Sequence, residues 1–451
     1  MNFIGLDIGT TSICGIVMEA EKGKILNSVT RSNNTSLESV HTWEFIQDPG
    51  AILKMVFDIF EELTSDCVEI DGIGITGQMH GILYVNEAGN YVSPLYTWQD
   101  QRGNLSVNGS GGETYVDRLS RITAMPLATG FGLVTHDYNR QNGLIPANAS
   151  YICTIADYAA MKLTGGHTPY MDPTNAASLG LFNMKLLDFE DHTLEAAEID
   201  RRMLPEVVLS GTLIGHSQTG IPVTVSLGDN QASFLGSVRE VADSVLLNVG
   251  TGSQISVFSE RYYQIESLDI RPFPGGGYLL VGASLSGGKS YALLESFFRE
   301  VCIQLGGLED PGRLYDRMSQ LAESTVLDGK LQVHTQFFGS RTDPDRKGSI
   351  EGMDSLNFTP SHLIIGVIDG IIAELHQFYD AFPCECQQQI KSLVGSGNGI
   401  RNNSTLCSRL CNVFNLPLQI SAHPEEAAYG ASLCAAVGCA VFPDFRQISF
   451  R

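Results

Sequence analysis

One short pattern occurs twice in this chain and limits the folds open to it. Phe3 to Ile8 is an apolar run containing Asp7; it turns through Gly9-Thr10-Thr11-Ser12 and returns as the apolar run Ile13 to Met18. In the second half Leu246 to Val249 turns through Gly250-Thr251-Gly252-Ser253 into Ile255 to Phe258. Both read as strand, tight turn and strand. A lone hairpin cannot bury its apolar face, so each copy implies a sheet of its own and the pair implies two domains related by duplication. Chance recurrence is the alternative, because Gly, Thr and Ser are ordinary turn residues.

The 451 residues also exceed the size at which one core keeps growing. Helical periods alternate with the strands. Pro49 to Asp66 sets Ile52, Val56, Ile59, Phe60 and Leu63 on one face, and Pro360 to Phe382 does the same with Leu363, Val367, Ile371 and Leu375. Alternation of this kind predicts an α/β architecture. The boundary is expected between residues 215 and 240, giving domains 1–222 and 223–451. No Pro/Gly/Ser-rich linker marks it, so the domains are expected to be joined by packed elements that hinge.

Fifty acidic against 28 basic residues give a formal net charge of -22, which repels nucleic acid and anionic lipid. Neither is expected as a partner. A nucleotide would have to be held by backbone amides, helix N-termini and a cation rather than by a basic face. The ten cysteines include no CxxC pair and no tight Cys/His cluster, so they read as small buried hydrophobes rather than a disulfide framework or a zinc site. The start, MNFIGLDIGTTS, has no basic segment and carries an acid where a signal peptide is apolar, and no long apolar run follows. A cytoplasmic location is the expectation.

Five segments carry the chemistry. In Asp7-Ile8-Gly9-Thr10-Thr11-Ser12 the glycine lets the backbone turn close to a ligand, and hydroxyls and N–H groups suited to phosphate oxygens follow an acid suited to hydrated Mg²⁺. An ordinary hairpin with Asp7 bonding the turn is the alternative. Leu393 to Gly399 is an apolar strand entering a glycine-rich turn, followed by Asn402 and Asn403; it reads as an approach for a flat purine or as a strand-to-helix link with an Asn cap. In Leu227-Gly228-Asp229-Asn230-Gln231 a strand yields to a carboxylate that can take the proton of an attacking hydroxyl, or simply cap a helix. Gln78-Met79-His80-Gly81 and Trp98-Gln99-Asp100-Gln101-Arg102 each combine hydrogen-bonding groups with an apolar face, the surface a sugar needs, although His80 and Trp98 also suit a core.

Taken in order, DIGTTS (7–12), GQMHG (77–81), TWQDQR (97–102), ATGFG (128–132), NAAS (175–178), LGDNQAS (227–233), GASLSGG (282–288) and GSGN (395–398) make the chain resemble the FGGY family of carbohydrate kinases over nearly its whole length. The resemblance implies an α/β fold of two actin-like domains of the sugar kinase and ribonuclease H-like type, each a mixed five-stranded sheet flanked by helices, with an ATP cleft between them. It implies ATP and Mg²⁺ as cofactors, with Asp7 toward the metal. Thr10 and Thr11 of the first domain and Thr251 and Gly252 of the second would approach the terminal phosphates, with Gly288, Gly397, Asn398 and Asn402 by the adenosine. Gln78, Met79, His80, Trp98, Asp100 and Asp229 would meet the sugar, and Asp229 matches the family's catalytic aspartate.

The implied activity is phosphorylation of a ketose primary hydroxyl. TWQDQR and ATGFG lean toward sedoheptulose, with xylulose, ribulose and glycerol as alternatives. A non-catalytic actin-like nucleotide binder is the reading from another class. The partner is a small sugar or polyol, and a homodimer is compatible with the family. Two places depart from the pattern: Gly130 to Asn142 lacks the lysine-and-tryptophan signature of many members, and either Asn402 or Asn403 fits the nucleotide position.

Overall fold

The first hairpin organises one sheet. In the computed structural model, which describes the chain except residues 66–68, 108–111, 325–330, 341–342, 344, 449 and 451, β1 (Asn2–Ile8) and β2 (Ser12–Glu19) pair antiparallel with Ile8 opposite Ile13. β3 (Lys24–Ser32) adds antiparallel to β2, and β4 (Gly72–Gly77) runs parallel to β1 with Thr76 beside Asp7. The link to β4 is α1 (Pro49–Thr64). Proline at its first turn and the Asp48 carboxylate, which accepts from the amides of Gly50 and Ala51, start this helix. The face it buries is Ile52, Val56, Ile59, Phe60 and Leu63. Burying a side chain of that kind contributes about 1.5–3 kcal/mol, so this face rather than helix propensity holds α1 in place. Asp66, the expected end of the helix, lies outside the described residues.

Among the helices that follow are α2 (Gly132–Gln141) and the short α3 (Pro173–Ser178). β5 (Leu213–His216), β6 (Pro222–Thr224) and β7 (Leu227–Gly228) then complete the sheet in the order β5-β6-β4-β1-β2-β3, with β7 also parallel to β4. α4 (Asp229–Ser237) starts at the end of β7.

The second hairpin builds another sheet in the same way. β8 (Ser244–Val249) and β9 (Ser253–Ser259) are antiparallel, with β10 (Asp269–Pro272) on the far edge and β11 (Tyr278–Ser284) against β9. α5 (Gly288–Gln304) and α6 (Pro360–Asp380) precede β12 (Ser392–Ser396), which runs parallel to β8. α7 (Asn398–Arg401) and α8 (Ser404–Phe414) then lead to β13 (Leu418–Ile420), parallel to β12. The strands β6-β4-β1-β2-β3 and β13-β12-β8-β9-β11 share one order and one set of directions. The implied five-stranded sheet is this shared part. Among the described residues the full sheets have seven and six strands, because β5, β7 and β10 extend it.

The last helix, α9 (Glu426–Gly438), returns to the first sheet. Glycines clear its path. A Cβ on Gly5 would lie 1.8 Å from the Ala428 carbonyl oxygen, and one on Gly74 would lie 1.8 Å from that of Ala431. The two compact units are therefore residues 1–239, 271–277 and 425–451, and residues 240–270 and 278–424. This division differs from the expected cut after residue 222. β6 and β7 pair with β4 and α4 packs against α9, so residues 223–239 are held by the first sheet. Each unit has its own apolar core. Among the described residues no helix is long and apolar enough to cross a membrane.

Candidate active site

The first unit holds nine of the expected residues, Asp7, Thr10, Thr11, Gln78, Met79, His80, Trp98, Asp100 and Asp229. Asp7 is the penultimate residue of β1, and the turn after it is braced from outside: Asn33 donates its backbone N–H to the Thr11 carbonyl (2.8 Å) and its side-chain amide to the Gly9 carbonyl (2.8 Å). Oδ1 of Asp7 is sealed from solvent and has no hydrogen-bond partner. Burial, then the neighbouring carboxylates Asp229 and Glu425, raise its pKa to about 7. Asp229 opens α4, with the Gly228 backbone as its cap. Burial raises Asp229 to about 6, against the opposing pull of the Arg271 charge and a hydrogen bond from the Asn230 backbone.

A closed ring of hydrogen bonds ties the phosphate-type turn to the sugar-type motifs. The Trp98 indole N–H donates to Thr10 Oγ1 (2.9 Å), and the Thr10 hydroxyl donates to Gln78 Oε1 (3.3 Å). The Gln78 amide donates to Gln47 Oε1 (2.9 Å), and the Gln47 amide donates back to the Thr10 carbonyl (2.9 Å). Gln47 was not legible as a site residue, because it arrives from the strip before α1 and no local motif surrounds it. Trp98 is half exposed, at 48%, which leaves an aromatic face for an apolar sugar surface.

His80 sits at the tip of the strand-end turn with a positive φ of 70°. Ser178 fixes it from α3: the His80 backbone N–H donates to Ser178 Oγ (3.0 Å), and Nδ1 meets the Ser178 carbonyl at 2.7 Å. A carbonyl only accepts, so the proton is on Nδ1. Phe131 stacks on the imidazole at 4.8 Å between ring centres, which gives the ATGFG string a place in this site.

Two expected sugar contacts differ. Asp100 has no exposure, and both its oxygens are engaged: Oδ1 by the backbone and Nε of Arg102, Oδ2 by Nη2 of Arg102 and the Phe45 amide. The reason is Arg102, itself buried and 4.2 Å above the Tyr96 ring, which needs the Asp100 and Glu44 carboxylates as countercharges. Met79 is also buried and packs toward Gly228, where a Cβ would lie 2.8 Å from its sulfur. The segment that departs from the family signature forms α2, and its polar residues serve the interior. Asn139 accepts from Arg102, Asp137 pairs with Arg118 and Arg140, and His136 bonds the Tyr84 hydroxyl.

The second unit gathers the remaining residues around its own hairpin. Gly288 donates its N–H to the Gly250 carbonyl (2.8 Å), and Lys289 donates to that of Thr251 (2.9 Å). A Cβ on Gly252 would lie 2.6 Å from the Ser284 carbonyl, one on Gly288 2.4 Å from that of Gly250, and one on Gly397 2.6 Å from that of Val249. Gly397 also has φ +82°, a conformation that favours glycine. Three backbones thus close on one turn, at distances only glycine allows, beside exposed Thr251 and Asn398. Asn403 accepts from the Leu406 amide as the cap of α8, whereas Asn402 is exposed one residue earlier. Of the two asparagines, Asn402 is the one with an accessible side chain.

Asp7 also tests the fit of a magnesium ion. Its orphaned carboxylate oxygen among like charges is the environment that a divalent cation relieves. Among the described residues no group of three or more His, Cys, Asp or Glu could hold a metal by itself. Such an ion would keep its waters and take phosphate oxygens, which is how Mg²⁺ is usually held.

Comparison with known proteins gives the same assignment. Residues 2–236 match the model of the N-terminal domain of the FGGY family of carbohydrate kinases, and residues 247–439 match that of its C-terminal domain. A sedoheptulokinase from Mus musculus is 28% identical over 95% of this chain and 96% of its own length. A xylulose kinase from Staphylococcus xylosus is 24% identical, covering 99% and 92%. The crystal structure of Plasmodium falciparum glycerol kinase with ADP superposes with a TM-score of 0.82 at 20% identity, over 98% of this chain and 90% of that one. Twin hairpin sheets, a raised aspartate at the head of α4 and two domain models that together match residues 2–236 and 247–439 lead to one conclusion: this chain belongs to the FGGY family and is a carbohydrate kinase.

Proposed function

We propose that the enzyme transfers the terminal phosphoryl group of ATP to a primary hydroxyl of a ketose, with sedoheptulose as the leading acceptor and Asp229 as the general base. The observation that carries this reading is the Asp229 carboxylate, fixed at the start of α4 and raised to about 6. At neutral pH it is ionised yet still basic enough to receive a proton, the balance that general-base catalysis favours.

The residues divide the work. Trp98, Gln78 and His80 hold the acceptor sugar on the first unit, and the turn at Thr10 and Thr11 offers hydroxyls to phosphate oxygens. On the second unit Thr251, Gly252, Gly288, Gly397, Asn398 and Asn402 hold the nucleotide. The attacking hydroxyl oxygen bonds to the γ-phosphorus, its proton passes to Asp229, and the bond to the leaving ADP oxygen breaks. Asp7 would hold a hydrated Mg²⁺, which when bound neutralises charge on the phosphate oxygens. Sedoheptulose leads because the sedoheptulokinase likeness spans both chains almost completely, and xylulose follows on the likeness to the staphylococcal enzyme.

An ADP-release assay with MgATP against sedoheptulose, xylulose, ribulose and glycerol tests the proposal, run beside Asp229→Ala. Sedoheptulose is expected to give the highest kcat/KM, and the variant to lose on the order of 10³-fold or more in turnover while still binding ATP. Preference for another acceptor moves the substrate, and near-normal turnover by Asp229→Ala overturns the base.

A further inference from the structure

The NAAS string occupies α3, and the proposed chemistry gives that helix no task. Its side chains run in two directions. At its first turn Thr174 Oγ1 accepts the Gly228 N–H (2.9 Å) while its hydroxyl donates to Asp172 Oδ1 (2.6 Å). Next to it the Asn175 amide donates to the Ser226 carbonyl (3.1 Å), and the Ser226 hydroxyl donates to Asp157. At its last turn Ser178 Oγ donates to the Asn175 carbonyl (2.7 Å) and accepts the His80 backbone N–H (3.0 Å). Thr174, Asn175, Ser178, Asp157, Asp172 and Ser226 are all buried, and each exceeds nine-tenths enclosure. Residues 226 and 228, just before Asp229, are thus pinned from one end of α3, and His80 is pinned from the other.

We propose that α3 is a spacer that sets the distance between the general base and the acceptor-binding loop, with Thr174 and Ser178 as its two positioning residues. The proposal rests on the roles given above to Asp229 and His80. α3 is shorter than two turns and is held at both ends by these buried hydrogen bonds, and a displacement of the reacting groups by about 1 Å is enough to cost on the order of 100-fold in rate. Loss of the Thr174 contact lets the base shift while the sugar contacts stay. Loss of the Ser178 contact does the reverse.

Steady-state kinetics of Thr174→Val, Thr174→Ser, Ser178→Ala and Asp229→Ala, with melting curves for each, test this. Thr174→Val is expected to lower kcat about ten-fold or more with little change in sugar KM, and Thr174→Ser to restore it. Ser178→Ala is expected to raise sugar KM several-fold with a smaller loss of kcat. If both variants shift the same parameter, or if folded Thr174→Val keeps kcat within two-fold, the spacer is refuted. Should Thr174→Val not fold, Ser178→Ala decides alone: an unchanged sugar KM refutes it. The Asp229→Ala arm separates the readings, because an active Asp229→Ala removes the base itself, whereas an inactive one beside a normal Thr174→Val removes only the spacer.

Discussion

The two hairpins are the same object built twice, and they differ most at one position. Asp7 in β1 lies beside Thr76 of its parallel neighbour, and Asn248 in β8 lies beside Ser396 of its own. Asn248 donates its amide to Ser396 Oγ (2.9 Å), so the second copy is neutral and internally satisfied. Asp7 keeps a buried oxygen with no partner and a pKa raised to about 7. The braces differ in kind too. Asn33 supports the first turn with one side chain and one amide, whereas two successive backbone amides, from Gly288 and Lys289, support the second. The duplicated frame therefore differs in charge: one copy keeps a buried carboxylate oxygen with no partner, and the other carries a neutral amide in its place beside a turn of close-packed glycines.

Making the first hairpin resemble the second breaks the comparison most severely. Asp7→Asn is expected to lower turnover on the order of 1,000-fold, read as ADP release at saturating sugar and nucleotide. The converse, Asn248→Asp, places a carboxylate beside the proposed nucleotide site and is expected to raise KM for ATP about ten-fold, with sugar KM unchanged. Acidity offers a graded version. Burial raises Asp7 from the usual carboxylate range to about 7, so its contribution to stability is complete below about pH 4 and is lost as pH rises through 7. Asp7→Asn should therefore stabilise the fold at pH 8 by on the order of 2 kcal/mol and much less at pH 4, measured by denaturant unfolding without nucleotide or metal. The smallest effect is expected from Asn33→Ala, which removes the side-chain brace and should cost about 1 kcal/mol.

Much of this was legible where chemistry is written into consecutive residues. Asp7, Thr10, Asp229 and the glycines of both turns stand in strings whose residue types announce strand ends and close backbone approach. The face of α1 followed from its period alone. What escaped reading comes from afar. Gln47, Asn33 and Glu425 reach the first site from separate elements and have no local signature. Asp100 misled because an acid beside an aromatic suits a sugar equally well; only the burial of Arg102 two residues later shows where its charge goes. The unit limit at residue 239 lies inside the expected span of 215 to 240 but beyond the cut at 222, since nothing near residue 222 records that β7 pairs with β4.

The return of α9 to the first sheet also has a temporal side. The Tyr429 hydroxyl donates to the Gly23 carbonyl, a contact across 406 residues of sequence. At roughly 5–20 residues per second, a ribosome takes about 20–80 s to make the intervening chain. Throughout that interval the nascent first sheet has its glycine-lined seat at Gly5 and Gly74 uncovered. The second unit, contiguous apart from one seven-residue excursion, is finished before its elder neighbour. The unit whose synthesis begins first is thus the last to have its whole chain, because its closing helix leaves the ribosome after every segment of the other unit.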